Sequence, residues 1–478
     1  MQPSKPQGIC TQIPSGVRHS IGDDLVIDRE TIPFPGSILR ARFTYRLPTG
    51  EELCLVEEGP LTYRLPRHAF SAEELSRYGI SPVSVLPSSY KVSSLRRLPG
   101  TNPRDASQQA AFDAMCGVQN GTLALACGKG KTVLALMYAA QRGVPVLIVA
   151  PQHAHLENWE TELRNRFTVE SSARVGAAKN PWPLVDVAFA TVQGLARAVS
   201  SGSVPRPFWE HYGLVVFDEC HHMSARHFAL AVYAASGDRL GLTATVRRAD
   251  AQHGIFLAHI GPVFYEDTTQ ELTPTVYPLT LHTELTEEEV RSATDMSGAP
   301  HLGLLHGVVG LLPARNKRIV TFIRELETRS RVVMALSHSV DQVRALARMY
   351  RADYGPCGEI TGETDDRIEQ LNGFRIVFAT VGVAAEAYNR PDIDTVMFLT
   401  PMRAQTQEGH VVAPALVQGG GRALRPMPGK TARVYILVDT GITQYNRLAK
   451  SMLRAAKLIG WRLHEEHTGR TRAVRSGG

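Results

Sequence analysis

Short apolar runs alternate with helical patterns over most of the chain. The first series of runs, each bounded by turn residues, comprises VPVLIVAP, LVDVAFAT, YGLVVFDE and RLGLTAT. Runs that are this short and this apolar are typical of strands buried on both faces of a parallel sheet. The segments between them, such as HLENWETELRNRF, have helical character. The pattern therefore predicts an α/β domain, which we place at residues 96–268.

The same pattern returns in the second half of the chain. Its predicted strands are RVVMALS, RIVFAT, DTVMFLTP and ARVYILVD, and its predicted helices are SVDQVRALARMYRADY and YNRLAKSMLRAAKLIG. This alternation predicts a second α/β domain at residues 269–461. The remaining residues, 462–478, have no apolar periodicity, so we predict a disordered basic tail.

Residues 1–95 differ from the rest because they are rich in proline and turn residues. The segment SILRARFTYRLPTGEELCLVEE predicts two strands around a Pro48-Thr49-Gly50 turn, with Leu39 and Phe43 on one face. Ser71 and Glu74 have the spacing of a capping box before a short helix. We predict a small β-rich accessory domain. Its candidate duplex-binding face, with a solvated strand face as the alternative, comprises Arg40, Arg42, Arg46, Arg64 and Arg67.

Composition narrows the class of protein only slightly. The 478 residues are 43% hydrophobic and 21% charged, as in an ordinary globular protein. We see no apolar stretch long enough to cross a bilayer and no secretory signal, and the six cysteines are scattered. We therefore expect a cytoplasmic protein without a membrane partner. The net charge of +6 suits a polyanionic partner such as nucleic acid, although it suits a slightly basic enzyme equally well.

The stretch ACGKGKT, between an apolar strand and a helical pattern, is a candidate phosphate-binding loop. Glycine permits the bend that turns backbone N–H groups toward phosphate oxygens. In such a loop Lys131 would neutralise the β- and γ-phosphates and Thr132 would bind Mg²⁺. The strict pattern has glycine where this chain has Leu125. The candidate nucleotide-binding residues are Cys127, Gly128, Lys129, Gly130, Lys131 and Thr132.

Two adjacent carboxylates follow the apolar run YGLVVF. A strand that ends before Asp218 and Glu219 places both at the carboxyl edge of the sheet, where open α/β folds bind their ligands. Asp218 can hold Mg²⁺ and Glu219 can polarise an attacking water molecule. The alternative is that both acids cap the following helix. Adjacent histidines on one strand end point apart, so His221 and His222 do not predict a zinc site.

The segment ALVQGGGRALRP supplies candidate groups from the second domain. If it is helical from about Gln418, then Gln418, Arg422 and Arg425 lie on one face. Arginines placed in this way can neutralise the charge that develops during phosphoryl transfer, and the alternative is a solvated basic helix start. Three consecutive glycines predict that the backbone here approaches another part of the protein closely.

The order and spacing of these segments resemble those of superfamily 2 helicases. ACGKGKT resembles motif I, DECH motif II, TAT at 243–245 motif III and QGGGRALR motif VI. NPRDASQQAAF resembles the adenine-reading Q motif, with Arg104 and either Gln108 or Gln109 as its contacts. Motif V departs from the pattern at 386–389, which puts its coupling role in doubt. The segments DECHHMSA and GLTATVRRAD look most like those of excision-repair translocases and phage branch-migration helicases.

The resemblance implies two tandem RecA-like domains that bind ATP and Mg²⁺ between them and move along DNA that is duplex, forked or branched. It implies a monomer in the cytoplasm of a bacterial or phage-infected cell, with replication or recombination proteins as further partners. The alternatives are an RNA helicase, the motor subunit of a restriction-type complex and a catalytically silent nucleic-acid clamp. The residues that the resemblance places against the nucleic-acid strand are Pro151, Gln152, Thr191, Gln193, Ser337, His338 and Thr380.

Overall fold

The computed structural model of the protein describes most of residues 19–464. The segments that it does not describe within this range are 48–49, 88, 127, 221–224, 245–252, 268–271, 296–300, 365–371, 383–389, 391, 403, 408–409, 413, 422–426 and 428. The chain divides into two compact units, unit 1 up to Thr269 and unit 2 from Gln270. The sequence predicts a disordered tail at residues 462–478, but Arg462–Leu463 form a strand paired to the unit 2 sheet, so the prediction of disorder is wrong there; residues 465–478 lie outside the described residues.

The N-terminal part of unit 1 is β-rich, as the sequence predicts. Five short strands form a sheet in the order β5-β6-β2-β1-β7, and β3 and β4 form a separate antiparallel hairpin. Leu25, Ile27 and Leu65 provide the centre of its core. Its elements are β1 His19–Ile21, β2 Asp24–Asp28, α1 Gly36–Phe43, β3 Thr44–Arg46, β4 Glu52–Cys54, β5 Glu57–Glu58, β6 Thr62–Pro66, α2 Ala72–Arg77 and β7 Val83–Ser84. The capping box that we predict is present, since Ser71 accepts from the Glu74 N–H at the start of α2.

The prediction of a long first strand around Leu39 is wrong, because α1 occupies this segment. Leu39 and Phe43 are both buried, whereas Ala41, which a strand would bury beside them, is exposed. Residues four apart share one face of a helix, but residues two apart do not. Over so short a segment, the positions of the apolar residues around Arg40 and Arg42 therefore fit the two-residue period of a strand as well as the four-residue spacing of a helix. The predicted hairpin survives as β3 and β4, which pair at Thr44 with Cys54.

The structure contradicts one member of the predicted basic face, Arg67, and the rest of the face stays a prediction. Arg40 and Arg42 form ion pairs with Glu58 and Glu74, so their charges are offset within the fold. Arg67 is only 2% exposed, and its guanidinium donates to the carbonyl oxygens of Gly22, Ser236 and Gly237. A side chain that is enclosed in this way stabilises the contact between the β-rich part and the rest of unit 1, and it cannot contact a duplex.

The larger part of unit 1 contains a parallel sheet of seven strands in the order β12-β13-β10-β14-β15-β9-β16. Its elements are β8 Arg96–Arg97, α3 Ala106–Cys116, β9 Gly121–Leu125, α4 Lys131–Arg142, β10 Val146–Ala150, α5 His153–Arg166, β11 Phe167–Thr168, β12 Ser172–Arg174, β13 Val187–Thr191, α6 Val192–Ser200, α7 Arg206–His211, β14 Leu214–Phe217, α8 Ala225–Ala231, a 3₁₀ turn Val232–Ala234, β15 Asp238–Thr243, α9 His253–Ile260 and β16 Val263–Asp267.

This sheet is buried on both faces, as its apolar sequence predicts. Along β10, Val146 and Ile148 belong to one hydrophobic core and Leu147 and Val149 to the other. Alternate residues of a strand point to opposite faces, so helices must cover both sides of the sheet. The four predicted strands correspond to β10, β13, β14 and β15. Because β15 separates β14 from β9, the loops that follow β14 and β9 lie on either side of the end of β15.

Unit 2 repeats this architecture with a second parallel sheet of seven strands, in the order β19-β20-β18-β21-β24-β17-β25. Its elements are β17 Thr275–Leu281, α10 Glu287–Ser292, α11 Leu302–Gly310, α12 Pro313–Thr328, β18 Val333–Ser337, α13 Val340–Asp353, β19 Gly358–Ile360, β20 Ile376–Thr380, β21 Thr395–Phe398, β22 Gln405–Gln407, β23 His410–Val412, α14 Pro414–Gly421, β24 Arg433–Asp439, α15 Thr443–Leu458 and β25 Arg462–Leu463. The four predicted strands are β18, β20, β21 and β24, which confirms the predicted fold class.

The consecutive glycines of unit 2 lie within α14, and they do approach other residues closely. A Cβ atom on Gly419 would lie 2.9 Å from the Phe398 ring, and one on Gly420 would overlap the Trp461 ring. Glycine lowers helix stability, but at these positions a larger residue would collide with buried aromatic rings. Among the described helices of both units, none is long and apolar enough to span a bilayer.

Candidate functional site

The candidate phosphate loop connects β9 to α4 at the carboxyl edge of the unit 1 sheet. Gly128 and Gly130 have φ angles of 85° and 76°, in the left-handed region that glycine adopts without strain. Gly130 is the N-cap of α4, and glycine brings no side-chain acceptor to the first amides of that helix. A helix start of this kind, next to a loop that only glycine can form, is a suitable place for an anion. Cys127 lies outside the described residues.

Two residues at the start of α3 hold the outer side of this loop. The Gln108 amide donates to the carbonyl oxygen of Lys129 at 3.0 Å, and Arg104 donates to that of Gly128 at 3.2 Å. A Cβ on Gly130 would lie 2.6 Å from Nε2 of Gln108, so a larger residue would displace the Gln108 amide from the loop. Gln109 instead contacts Asp113 on the exposed side of α3. Of the two glutamines that the sequence leaves open, the structure brings Gln108 to the loop.

The two lysines of the loop point to different partners. The Lys131 ammonium donates to the carbonyl oxygen of Leu125 at 3.0 Å and lies 3.9 Å from the Glu219 carboxylate. The Lys129 ammonium instead lies 2.5 Å from Asp267, at the end of β16. The charge of Lys129 is therefore used to fix the loop, whereas Lys131 faces the carboxylates at the sheet edge. The contribution of Asp267 was not predicted, because 138 residues separate it from Lys129 in sequence.

The predicted acid pair lies at the end of β14. Asp218 is 7% exposed, and burial first and the charge of Glu219 second raise its pKa to about 6. Glu219 has a φ of 44°, which is uncommon for a residue other than glycine. Backbone strain of this kind is frequent at functional sites. The two carboxylates and Lys131 thus form a compact charged group beside the phosphate loop.

Trp159, on α5, makes a contact with this group that sequence reasoning missed. Its indole N–H donates to Oδ2 of Asp218 at 2.7 Å, and the ring is fully buried. The other carboxylate oxygen, Oδ1, accepts from the backbone N–H of Glu219 at 3.0 Å. Thr132, the second residue of α4, is half-buried, and Thr243 and Ala244 are buried at the end of β15. Thr245, His221 and His222 lie outside the described residues.

The unit 1 residues that are predicted to contact nucleic acid follow β10 and β13, at the same edge of the sheet. Gln152 and Gln193 are exposed, Pro151 is half-buried, and the Thr191 hydroxyl caps α6 by accepting from the Gly194 N–H. A cavity of about 150 Å³ lies beside them. Its lining includes His153, Thr191, Trp182 and Arg174.

The unit 2 residues that are predicted to contact nucleic acid differ from each other in burial and in hydrogen bonding. Ser337 is fully buried, and its hydroxyl donates to Gln342 at 2.6 Å, so its side chain orients the start of α13 and does not face outward as predicted. The imidazole of His338 is hydrogen-bonded to the Thr400 hydroxyl, and it stacks on the His306 ring with 4.9 Å between the ring centroids. Thr380, at the end of β20, is 8% exposed.

The predicted motif VI residues lie mostly beyond what the structure describes. Gln418 lies in α14, which begins at Pro414, earlier than predicted, so the predicted helical face from Gln418 onward stays a prediction. Arg422 and Arg425 lie outside the described residues, as do residues 386–389 of the departing motif V. The assignment of the two arginines to phosphoryl transfer stays a prediction.

Comparisons with known proteins agree with the fold. Residues 102–248 match the family model described as "Type III restriction enzyme, res subunit". The DNA 3'-5' translocase XPB2 of Sulfurisphaera tokodaii is 28% identical over 166 residues, which is 34% of this chain and 36% of that protein. The probable helicase D10 of Escherichia phage T5 is 28% identical over 163 residues, 33% of this chain and 34% of that protein.

A solved structure extends the likeness to both units. The helicase Lhr of Mycobacterium smegmatis matches with a TM-score of 0.51 at 17% identity, covering 75% of this chain and 48% of that one. At this identity the match concerns the fold, which is two tandem RecA-like domains. The sequence matches span only about a third of the two relatives.

The fold and the sheet-edge group define the class as a RecA-like protein with a phosphate loop and a paired-acid motif. Within that class, the chain is similar over about a third of its length to a DNA translocase and a phage helicase, which supports the resemblance to superfamily 2 helicases. The resemblance stated from the motifs is thereby confirmed.

Proposed function

We propose that this chain is an ATP-dependent DNA translocase or helicase whose ATPase activity depends on nucleic acid. The observation that carries the proposal is the grouping of Lys131, Asp218 and Glu219 beside the glycine-capped start of α4. This arrangement combines an anion-binding helix start, a positive charge and two carboxylates in one place. A nucleoside triphosphate with a divalent cation has the complementary charges.

In this proposal the loop binds the phosphates and Gln108 holds the loop in position for them. Backbone N–H groups at the start of α4 would donate to phosphate oxygens, and Lys131 would move its ammonium from the Leu125 carbonyl to the β- and γ-phosphates. Arg104 and Gln108, which bracket the loop, would contact the adenine base. Lys129 would remain on Asp267, so that the loop keeps its shape during binding.

The residues at the sheet edge fit Mg²⁺. Asp218 is a buried carboxylate whose ionised form is disfavoured by burial and by Glu219, and a nearby cation would reverse this preference. The Thr132 hydroxyl on the first turn of α4 is the other predicted ligand, and both ligands are oxygens, as Mg²⁺ prefers. When bound, the ion would neutralise charge on the β- and γ-phosphates.

Hydrolysis requires a general base and positively charged groups that stabilise the charge on the transferring phosphate. Glu219 would accept a proton from the water molecule that attacks the γ-phosphorus, while the bond to the leaving ADP oxygen breaks. Gln418, Arg422 and Arg425 would complete the pocket from unit 2. Loss of the γ-phosphate would remove the interaction that favours closure of the two domains, which is how hydrolysis would drive movement.

The nucleic-acid strand would contact the predicted residues that remain accessible in each unit. Gln152, Thr191 and Gln193 would supply hydrogen bonds to phosphates, which carry little sequence information, whereas Pro151 has no N–H to donate and would contact the strand by packing. In unit 2 the exposed His338 would do so, whereas Thr380 is 8% exposed and is too enclosed to be proposed as a contact. We propose DNA as the track because the first relative is named as a DNA translocase. We further propose that the chain works as a cytoplasmic monomer in repair, recombination or replication.

Substitution of Glu219 by glutamine tests the proposal. Because the amide cannot take a proton, we expect Glu219→Gln to lower DNA-stimulated ATP hydrolysis by at least about 100-fold while nucleotide binding persists. The measurement is steady-state phosphate release with linear, forked and branched DNA. Glu170→Gln, at an exposed position, is the matched control and should leave the rate unchanged. Equal rates for wild type and Glu219→Gln would refute the assignment of Glu219.

The same assay with RNA tests whether the chain moves along DNA or RNA. Stimulation by RNA and not by DNA would favour the RNA helicase that the sequence leaves open. No hydrolysis with either polymer, despite nucleotide binding, would favour a silent clamp.

A restriction-type motor is a second candidate, since the family model that matches 102–248 carries the name of a restriction enzyme subunit. It predicts the same ATPase activity, with cleavage supplied by a partner. Cleavage of DNA by the purified chain would contradict both candidates.

A further inference from the structure

We infer that Trp159 is a positioning residue that fixes the metal-binding carboxylate of Asp218. The inference rests on the proposed function, because it concerns the Mg²⁺ that we assign to this site. It starts from the 2.7 Å bond between the indole N–H and Oδ2 of Asp218. No motif of the sequence assigns a role to this tryptophan.

The two hydrogen bonds of Asp218 define the orientation of its carboxylate. Trp159 holds Oδ2 from α5, while the Glu219 N–H holds Oδ1 from the loop after β14. Each carboxylate oxygen has about two acceptor positions, so one donor to each leaves capacity for a cation. With both oxygens fixed, the carboxylate is held in one rotational orientation before any ligand arrives, which reduces the ordering that binding requires.

The chemical nature of the donor matters as much as its position. An indole has one N–H donor and no charge, so it orients the carboxylate without neutralising it. An arginine or lysine at the same place would compete with the cation for the negative charge. Trp159 therefore supports the ionised carboxylate and leaves its charge available for Mg²⁺.

The ring itself is part of the unit 1 core, where it packs with Leu123, Leu156 and Leu163 among others. A purely structural role would thus explain its burial, but it would not require the N–H to meet Asp218. Phenylalanine retains most of the ring contacts and removes the donor. Trp159→Phe consequently separates the two roles.

The chain provides a matched control in the same unit. The indole N–H of Trp209 donates to Oδ2 of Asp23 at 2.8 Å, and Trp209 is 1% exposed. Asp23 also lies near Arg67 and Arg239, in the contact between the β-rich part and the rest of unit 1. Trp209→Phe removes the same type of bond to a partly buried aspartate that has no part in the proposed nucleotide binding.

The experiment measures binding of a fluorescent non-hydrolysable ATP analogue to the full chain during a Mg²⁺ titration, and again in excess EDTA. We expect Trp159→Phe to raise the Mg²⁺ concentration for half-maximal binding about tenfold, the effect of losing one hydrogen bond to a charged group. Its affinity in EDTA should equal that of wild type. Trp209→Phe should leave both values unchanged, although both variants should lower the melting temperature.

Three outcomes would overturn the inference: an unchanged Mg²⁺ requirement in Trp159→Phe, an equal shift in both variants, or an equal loss of binding with and without Mg²⁺. Failure of the wild-type chain to bind the analogue in Mg²⁺ would instead overturn the proposed function.

Should Trp159→Phe fail to fold, ¹⁹F NMR of the wild-type chain labelled with 5-fluorotryptophan gives a second test. The Trp159 resonance can be assigned by elimination, with phenylalanine variants of the other three tryptophans. We expect this resonance to shift when the analogue binds with Mg²⁺ and to stay in place when it binds in EDTA. The same shift under both conditions would contradict the inference.

Discussion

Each unit buries an aspartate at the carboxyl end of a parallel strand, but the two units treat its charge differently. In unit 2, Asp439 ends β24 and lies 3.0 Å from the guanidinium of Arg315. In unit 1, Asp218 follows β14, and its side-chain donor is the neutral indole of Trp159. The charge of Asp439 is used within the fold, whereas that of Asp218 stays available to a ligand.

The comparison shows that a buried aspartate at the end of a parallel strand can stabilise the fold in one unit and can be available for binding in the other. A buried ion pair is costly to break, because removal of one partner leaves a charge in a medium of low dielectric. A buried carboxylate beside a second carboxylate is unfavourable in the absence of a ligand, and its raised pKa reflects this. Functional sites commonly carry such a cost in stability.

The largest expected effect comes from breaking the unit 2 pair. Arg315→Met keeps most of the side-chain volume but leaves Asp439 without its counter-charge and removes the bond to the Leu399 carbonyl. We expect the free energy of unfolding of unit 2 to fall by about 3–5 kcal/mol. Urea unfolding monitored by hydrogen exchange in β24 measures this change. Arg318→Met, at an exposed position of the same helix, should change it by less than about 0.5 kcal/mol.

The corresponding change in unit 1 should have the opposite sign. Asp218→Asn removes a buried charge and its repulsion with Glu219, so we expect unit 1 to gain about 1–3 kcal/mol at pH 8. Mg²⁺-dependent nucleotide binding should be lost at the same time. The measurement is thermal unfolding without nucleotide, with Asp439→Asn as the comparison, which should lower stability. A loss of stability in Asp218→Asn would remove the contrast between the two aspartates.

A smaller effect concerns the response of unit 2 to acid. Burial first, then the neighbouring His338 and Arg315, lower the pKa of His306 to about 3. The folded state keeps this imidazole neutral while the unfolded chain takes up a proton below about pH 6.5, so stability falls as the pH falls. The surroundings of the ring also include the Tyr445 hydroxyl, which bonds to its Nδ1, and Asp439 lies on the far side of Arg315.

His306→Asn keeps an acceptor for Tyr445 and removes the titrating group. Between pH 7.5 and pH 5.5, we expect wild type to lose about 1.4 kcal/mol more than this variant. Urea unfolding of both proteins at the two pH values measures the difference. Parallel losses would show that another group near Arg315 controls the acid response.

The sequence predicts the inner strands of both sheets well. Strand β10 is apolar at every position, and β18 and β24 are apolar except at their ends, because both of their faces are buried. Edge strands are harder, and β12 and β25 were not predicted, since a strand that is partly exposed has no distinctive run. The segment at α1 was misassigned because Leu39 and Phe43 satisfy two periodicities.

The residues of the candidate site likewise include some that the sequence predicts and some that it does not. Lys131, Asp218 and Glu219 were predictable, because each lies in a short motif whose spacing follows from one strand and one turn. Trp159 and Asp267 were not, since they reach the site from elements far away in sequence, and hydrophobic periodicity places Trp159 only in the core. The choice between Gln108 and Gln109 likewise required the geometry of α3 against the loop.

The tie between Lys129 and Asp267 has a practical consequence for work on unit 1 alone. Asp267 ends β16, two residues before the division at Thr269, and it also accepts from Ser107 while its carbonyl oxygen accepts from the Ala126 N–H. A truncation that stops at residue 266 would therefore delete an anchor of the candidate phosphate loop, although it would spare every recognised motif of that half. The choice of the final residue in a shortened protein would then decide whether it can hold a ligand at all.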